Sequence, residues 1–174
     1  MNREFLIWNH ILQAGEEFGL EAAGMGGVYV RRIEAGIMIN GTDLDPGMNP
    51  FQAGLGKFVN MDKDHFIGKA ALETAKRKQL LWGISCDAAI PELYAQVTYE
   101  GEVVGRVTSS AWSPLLNQGI GYVRFFSAND WEGEKIMTLG RNGNVREATV
   151  VQLPFYDPEK KISRGLDATI PEKP

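Results

Sequence analysis

The apolar residues of this 174-residue chain change period near Gln79, and that change constrains the fold more than any other feature. Before it, apolar positions recur at helical spacing and are broken by glycine and proline. After it they alternate, in segments 80–86, 95–99, 103–109, 119–125, 135–140 and 145–153. Glu100-Gly101 and Arg141-Asn142-Gly143-Asn144 carry hairpin-turn chemistry between neighbouring segments. Short strands at this spacing predict a small antiparallel barrel or sandwich, with Val97, Val104, Val107, Ile120, Val123 and Val150 in its core. The predicted class is α+β: a short helical or mixed N-terminal segment, then an antiparallel β-barrel of about six strands.

The first half reads as helices and turns. Phe5, Trp8, Ile11, Leu12 and Gly15 predict a helix over 4–18, with Gly19 as its C′ residue. Gly24-Met25-Gly26-Gly27 is a breaker cluster without dinucleotide-binding spacing. A second short helix is expected over 28–35, stopped by Gly36, with Val30, Ile33 and Ile37 as its core stripe. Asn40-Gly41 and Asp45-Pro46-Gly47 are turn signals. A short strand is expected over 55–60, and a helix over 68–78 that pairs Glu73 with Arg77 at i,i+4. The charged stretch from Pro158 onward is expected to fray.

Composition narrows the function classes. A net charge of −4 lacks the basic footprint of a nucleic-acid-binding protein. Cys86 is the only cysteine, so no internal disulfide forms, and with two histidines a zinc site is not expected. Cys86 reads as a buried, inert strand thiol. No apolar run reaches membrane-spanning length and no leader pattern opens the chain, so the expectation is a cytoplasmic location with no membrane partner.

Few side chains offer chemistry. Tyr29 and Arg32 are three apart on a helix and share a face, so a guanidinium beside a ring could hold a carboxylate. The alternative for Arg32 is an ion pair with an acid on the helix surface; Glu34, at i+2, does not share its face. Trp112, in a Thr-Ser-Ser-Ala-Trp-Ser-Pro loop, could stack on a flat heterocycle or pack as a lid. Arg141 could face a pocket or be a solvated turn residue. Asp43 and Asp45 read as turn formers, as do Asp62 and Asp64, with too few oxygens for calcium. His10 and His65 suggest no catalytic triad, and no metal or catalytic residue is assigned.

The order of the punctuation carries more than any single residue. Arg32-Ile33-Glu34-Ala35-Gly36, Gly41-Thr42-Asp43, Leu44-Asp45, Pro50, Ala53-Gly54-Leu55 and Phe66-Ile67-Gly68-Lys69 follow one another in a connected signature. Val107-Thr108-Ser109-Ser110-Ala111-Trp112-Ser113-Pro114 and the run VVQLPFYDP over 150–158 supply two further blocks. Together they resemble the glycine-cleavage T-protein (aminomethyltransferase) family, whose members move one-carbon units from a methylated substrate to tetrahydrofolate. The resemblance spans about Trp8 to Pro158 and matches the back part of the family pattern.

The resemblance implies residues 1–78 as the C-terminal part of a folate-binding domain, 79–158 as a C-terminal β-barrel domain and 159–174 as a tail. It implies tetrahydrofolate as cofactor, with Tyr29, Arg32, Trp112 and Arg141 as cofactor-binding residues. In the family pattern ARD.LR.EAG, Val28 and Tyr29 stand where the Arg-Asp pair would be, and Arg32 matches the second arginine. That departure fits a divergent relative, such as a demethylase with another methyl donor. The family's catalytic aspartate belongs to a first half with no counterpart here, so this chain alone is expected to be inactive. The implied partners are an N-terminal half or a homo-oligomer partner, besides folate and a methyl donor. Two alternatives stand beside this reading: a stand-alone binding or interaction module, and one subunit of a split enzyme.

Overall fold

A computed structural model describes residues 3–162 and 164–167. Helix α1 runs Arg3–Gly15 and ends in a 3-10 turn, Glu16–Phe18. Gly19 stops it in the left-handed conformation, and the Leu20 N–H returns to the Gly15 carbonyl at 3.0 Å. Helix α2 spans Met25–Glu34, three residues earlier at its start than expected, so the glycine cluster is its first turn and not a break before it. Gly36, at φ 71°, ends it. The chain has therefore left the helix by Ile37, which is 58% exposed instead of continuing the core stripe.

Two expectations between α2 and the barrel fail for a shared reason. Segment 55–60 is not a strand but carries a 3-10 turn, Gly56–Phe58. The Asn49 side chain accepts from the Phe51 and Gln52 N–H groups, and the Ala53 and Leu55 N–H groups bond back to Asn49 and Pro50. Backbone polarity is satisfied locally, so no neighbouring strand is needed. Helix α3 covers only Lys69–Glu73. Beyond it the Lys76 carbonyl is taken by Asn49 Nδ2 at 3.0 Å, and the Arg77 guanidinium sits 4.3 Å from the Phe51 ring centre. Arg77 thus packs across the chain on an aromatic face and not along a helix on Glu73.

Six antiparallel strands follow: β1 Leu81–Cys86, β2 Gln96–Tyr99, β3 Glu102–Ser113, β4 Gln118–Phe125, β5 Lys135–Leu139 and β6 Val145–Val151. They close into a barrel in the order β1-β4-β3-β2-β5-β6, which leaves no sheet edge. Glu100 and Gly101 both take positive φ in the two-residue β2–β3 turn, as the hairpin signal requires. Trp82, Ile84, Val97, Val107, Val123, Phe125, Ile136 and Val150 fill the interior. Trp131 closes one part of this core, stacked on Phe125 at 4.1 Å and edge-on to Tyr99 at 5.5 Å. Val104 is only partly buried at the margin, and Cys86 is buried as expected.

A second core lies outside the barrel, where α2 packs on β3 and β4. Ile33, Leu81, Ala111, Ile120 and Tyr122 are its buried members. Ile120 therefore belongs to the helix–barrel contact and not to the barrel interior. Burial holds Tyr122 protonated, with its pKa well above the ordinary phenol range, and its hydroxyl donates to the Ile33 carbonyl at 2.9 Å. The segment after β6 turns back on α2. Asp157 accepts from the Lys161 and Ile162 N–H groups, and Lys160 Nζ donates to the Ala35 carbonyl at 2.7 Å. Residues up to Ile162 are thus anchored instead of frayed; 168–174 lie outside the described residues.

Candidate functional site

The centre of the helix–barrel contact is a buried ionic ring. Arg32 projects from the last turn of α2 and is 9% exposed. Its Nη1 donates to Asp43 Oδ2 at 2.9 Å and its Nη2 to Ser109 Oγ at 2.8 Å. Ser109 Oγ in turn donates to Asp43 Oδ1 at 2.6 Å, which closes the ring. Thr108 Oγ1 and the Ile39 N–H complete the shell around Asp43, at 2.7 and 2.9 Å. Four donors thus meet a fully buried carboxylate, close to its full acceptor capacity. Asp43 is therefore a buried counter-ion, whereas the sequence reading made it a turn former. The loop around Asn40 and Leu44 does turn, but it folds to aim this side chain at β3.

A parallel contact lies one helical step away. Glu34, 1% exposed, accepts from Ser113 Oγ at 2.6 Å and from Arg31 Nη1 at 2.9 Å. The acid two residues beyond Arg32 thus pairs with Arg31, and Arg32 finds its acid eleven residues on. The serines of β3 explain both contacts. Ser109, Ala111 and Ser113 alternate toward α2, so each hydroxyl meets a buried carboxylate.

Tyr29 lies beside this ring, half-buried on α2, with its ring centre 4.5 Å from the Arg32 guanidinium carbon. The expected Tyr29–Arg32 juxtaposition is therefore present, but Arg32 has little left to offer a ligand. Its Nη1 also donates to the Ile37 carbonyl at 3.1 Å, and its Nε is buried without a partner. Tyr29 sits over a cation already neutralised from below.

Trp112 and Arg141 sit elsewhere. Trp112 does not occupy a loop: β3 continues through Ser113, and Trp112 pairs with Gly119 of β4. Gly119 is obligatory there, because a Cβ would come within 1.8 Å of the Ala89 carbonyl oxygen. By strand alternation Trp112 shares a face with Ser110, opposite the serines that meet α2. The exposed Arg141 reaches that face, with Nη2 3.4 Å from Ser110 Oγ. The four residues thus form two pairs on opposite faces of one strand. Residues 110–113 carry that strand past the expected end at Ser109.

Shallow hollows flank α2. One of about 500 Å³ is lined by Ala23, Val28, Arg31, Arg32, Ile37 and Tyr156 among others. A neighbour of about 290 Å³ shares Ala35 and Ile37 with it and continues to Leu55 and Phe58. Both are mainly apolar. Among the described residues no cluster of His, Cys, Asp or Glu could hold a metal ion, and no helix is long and apolar enough to cross a membrane.

Known proteins place this architecture. Residues 2–63 match the sequence profile of the GCVT N-terminal domain, and 79–157 match that of the glycine cleavage T-protein C-terminal barrel domain. The chain is 36% identical to an aminomethyltransferase of Moorella thermoacetica over 159 residues, covering 89% of this chain and 43% of that protein. An aminomethyltransferase of Halothermothrix orenii is 38% identical over 155 residues, covering 86% of this chain and 43% of its own length. The crystal structure of glycine cleavage system aminomethyltransferase T from Bartonella henselae superposes with a TM-score of 0.66 at 26% identity, over 78% of this chain and 40% of that one. The chain thus spans less than half the length of these relatives. With the closed six-stranded barrel and both domain profiles in sequence order, the chain belongs to the glycine-cleavage T-protein family.

Proposed function

We propose that this chain forms the barrel side of a folate-dependent one-carbon transfer site, of the aminomethyltransferase or a related demethylase kind. The observation that carries the reading is Tyr29, held half-exposed over the Arg32–Asp43–Ser109 ring on the helix whose Val28, Arg31 and Arg32 line an open hollow. In this reading residues 1–78 complete a folate-binding domain, 79–158 form the C-terminal barrel domain and 159–174 are a tail. Aminomethyltransferase relatives support the assignment.

The side chains fit part of a folate. The exposed face of Tyr29 suits a flat heterocycle. Arg141, on the opposite face of β3, has donors less engaged than those of Arg32 and suits an anionic group approaching from that side. Trp112 lies on the same strand face as Ser110. Arg32 supports Tyr29 from beneath and fixes α2 on the barrel. Tetrahydrofolate, when bound, supplies the nitrogen that takes the one-carbon unit; the chain's own residues orient it and cover one side. Proximity lowers such a barrier only when both sides of the site are assembled. The 174-residue chain by itself is therefore catalytically incompetent, and the protein works where soluble folates are found, in the cytoplasm.

Titration of 5-formyltetrahydrofolate into the chain, followed by calorimetry, tests the cofactor assignment. Tyr29→Ala is expected to weaken binding about tenfold, equivalent to about 1.4 kcal/mol. Binding that ignores both Tyr29→Ala and Arg141→Ala would remove the proposed site. Turnover of aminomethyl, sulfonium or methoxy donors by the purified chain would refute its incompetence. A second reading, a module that has shed catalysis, is favoured by the internal use of Arg32. It wins if folate binds neither the chain nor an assembled complex.

A further inference from the structure

We propose that the hollow between the end of α2 and the segment after β6 is a second ligand site, for a small aliphatic monocarboxylate. This goes beyond the folate reading and rests on the walls of this hollow alone.

Three parts of the chain build the hollow, which has a volume of about 290 Å³. Ile37 and Met38 form one wall, where the chain leaves α2. Leu55 and Phe58, around the 3-10 turn, form the second, and Leu153 and Pro154, just past β6, form the third. Gly36 brings the first and third walls together: a Cβ there would lie 3.2 Å from the Pro154 Cα. The size is near the lower limit for ligand pockets, roughly 300 Å³, and suits a small molecule.

Charge selects its kind. The charged residues in the lining are Lys57 and Lys160, and no acid is among them. The Lys57 ammonium lies 5.3 Å from the ring centre of Phe58, which draws it to that wall. Lys160 Nζ donates to the carbonyl of Ala35, itself a lining residue, at 2.7 Å. Asp157 lines a smaller hollow beyond Lys160, and its two carboxylate oxygens accept from the Lys161 and Ile162 N–H groups. Two ammonium groups at the rim of an apolar trough fit an anion with a hydrocarbon body. The carboxylate gains charge-assisted hydrogen bonds, and the hydrocarbon gains by leaving water. A phosphate head, with three acceptor oxygens and a second charge, would need more donors than two lysines bring.

The backbone supports the assignment. Asp157 and Lys160 are held at φ 47° and 55°, in the left-handed region that side-chain-bearing residues avoid. Such conformations persist only where the surroundings enforce them, and they cluster at ligand sites. A lysine at the second bend, where glycine would fit without strain, sets an ammonium at the rim. Lys160 also lies past the matched barrel profile, which ends at residue 157, so this charge is a feature of the chain beyond the barrel pattern.

The test uses octanoate as probe, titrated into the full 174-residue chain and followed by amide chemical shifts. Saturable binding is expected, with a dissociation constant on the order of 1 mM or tighter. The largest shifts should fall in residues 35–38 and 55–58. Lys57→Gln should weaken binding about threefold, and Lys57→Gln with Lys160→Gln at least about tenfold. The single variant keeps the Lys160–Ala35 contact, so it stays decisive if loss of Lys160 disturbs the turn. Octylamine, with a similar tail and the opposite charge, should not bind, and inorganic phosphate should not displace octanoate. Undiminished affinity in both lysine variants would overturn the proposal. So would equal binding of octylamine, or shifts that spread over the surface without saturating. Displacement of octanoate by 5-formyltetrahydrofolate would merge this hollow with the folate site and also overturn it. Octanoate binding by a chain that ignores folate would defeat only the functional reading.

Discussion

Helices α1 and α2 are neighbours in sequence, but they are held in opposite ways. The 13 residues of α1 are rich in large apolar side chains and none is buried. The 10 residues of α2 carry two glycines in their first turn, and two of its three buried side chains, Arg32 and Glu34, are charged. Apolar content alone would have ranked them in reverse. The difference is that α2 meets β3, whose serines and threonine supply hydroxyls to both carboxylates, while among the described residues α1 packs chiefly on the 3-10 turn that follows it. A buried charge persists only when every partner is in place, so the ionic ring fixes α2 in one register, whereas a hydrophobic stripe accepts many partners.

The largest effect should come from breaking the ring. Asp43→Ala leaves the Arg32 guanidinium buried and unpaired, and is expected to destabilise the chain by about 3–5 kcal/mol in urea denaturation. A loss below about 1 kcal/mol would mean that α2 is held by its apolar contacts, and the contrast with α1 would dissolve. The double variant Arg32→Met with Asp43→Leu should recover at least half of that loss, since removing both charges removes the desolvation penalty.

Gly119→Ala comes next, because its Cβ would strike the Ala89 backbone and no side chain can yield. About 2–3 kcal/mol or more is expected, read as a lower thermal midpoint. An unchanged midpoint would place the β3–β4 hairpin differently. Glu34→Gln keeps the acceptor for Ser113 but weakens the contact with Arg31, for about 1–2 kcal/mol.

On α1 the same measurement should barely move. Phe5→Ser and Ile11→Ser are each expected within about 0.5 kcal/mol of the parent for the isolated chain. A loss above about 2 kcal/mol would mean that α1 is packed, and would collapse the comparison from the other side.

The smallest effect concerns Asp45. The Arg124 guanidinium, and after it the Gly47 N–H, hold its carboxyl below the usual carboxylate range. A depressed folded pKa gives stability that is present above the unfolded value and is lost as pH falls through the folded one. Asp45→Asn should therefore be slightly less stable than the parent near neutrality, with the difference disappearing as pH falls below about 4, so that the acid limb of the profile is flatter. A difference confined to pH 7 and above would reverse the assignment.

Much of the barrel was legible because its physics is local and periodic. Alternation located all six strands to within a few residues, and Glu100-Gly101 marked its hairpin through backbone preference alone. The end of β3 was missed because Ser109, Ser110 and Ser113 look like loop residues until their hydroxyls have carboxylates to meet. Segment 55–60 and α3 were misjudged because Asn49 and Phe51, distant in sequence from what they hold, capture backbone and side chain from Lys76 and Arg77.

The sequence by itself determined the period of each element, the glycines that end the helices, the family signature and the Tyr29–Arg32 pairing. All but the family signature depend on residues within a turn or two of each other. Only the tertiary structure decided that Arg32 belongs to Asp43 and Ser109 and Glu34 to Ser113, that Trp112 and Arg141 lie across β3 from Tyr29, and that α1 stays uncovered. The reason is distance along the chain. Ser109 lies 77 residues from Arg32, and no periodicity or propensity encodes which of many possible charged partners a closing barrel will bring within hydrogen-bond reach.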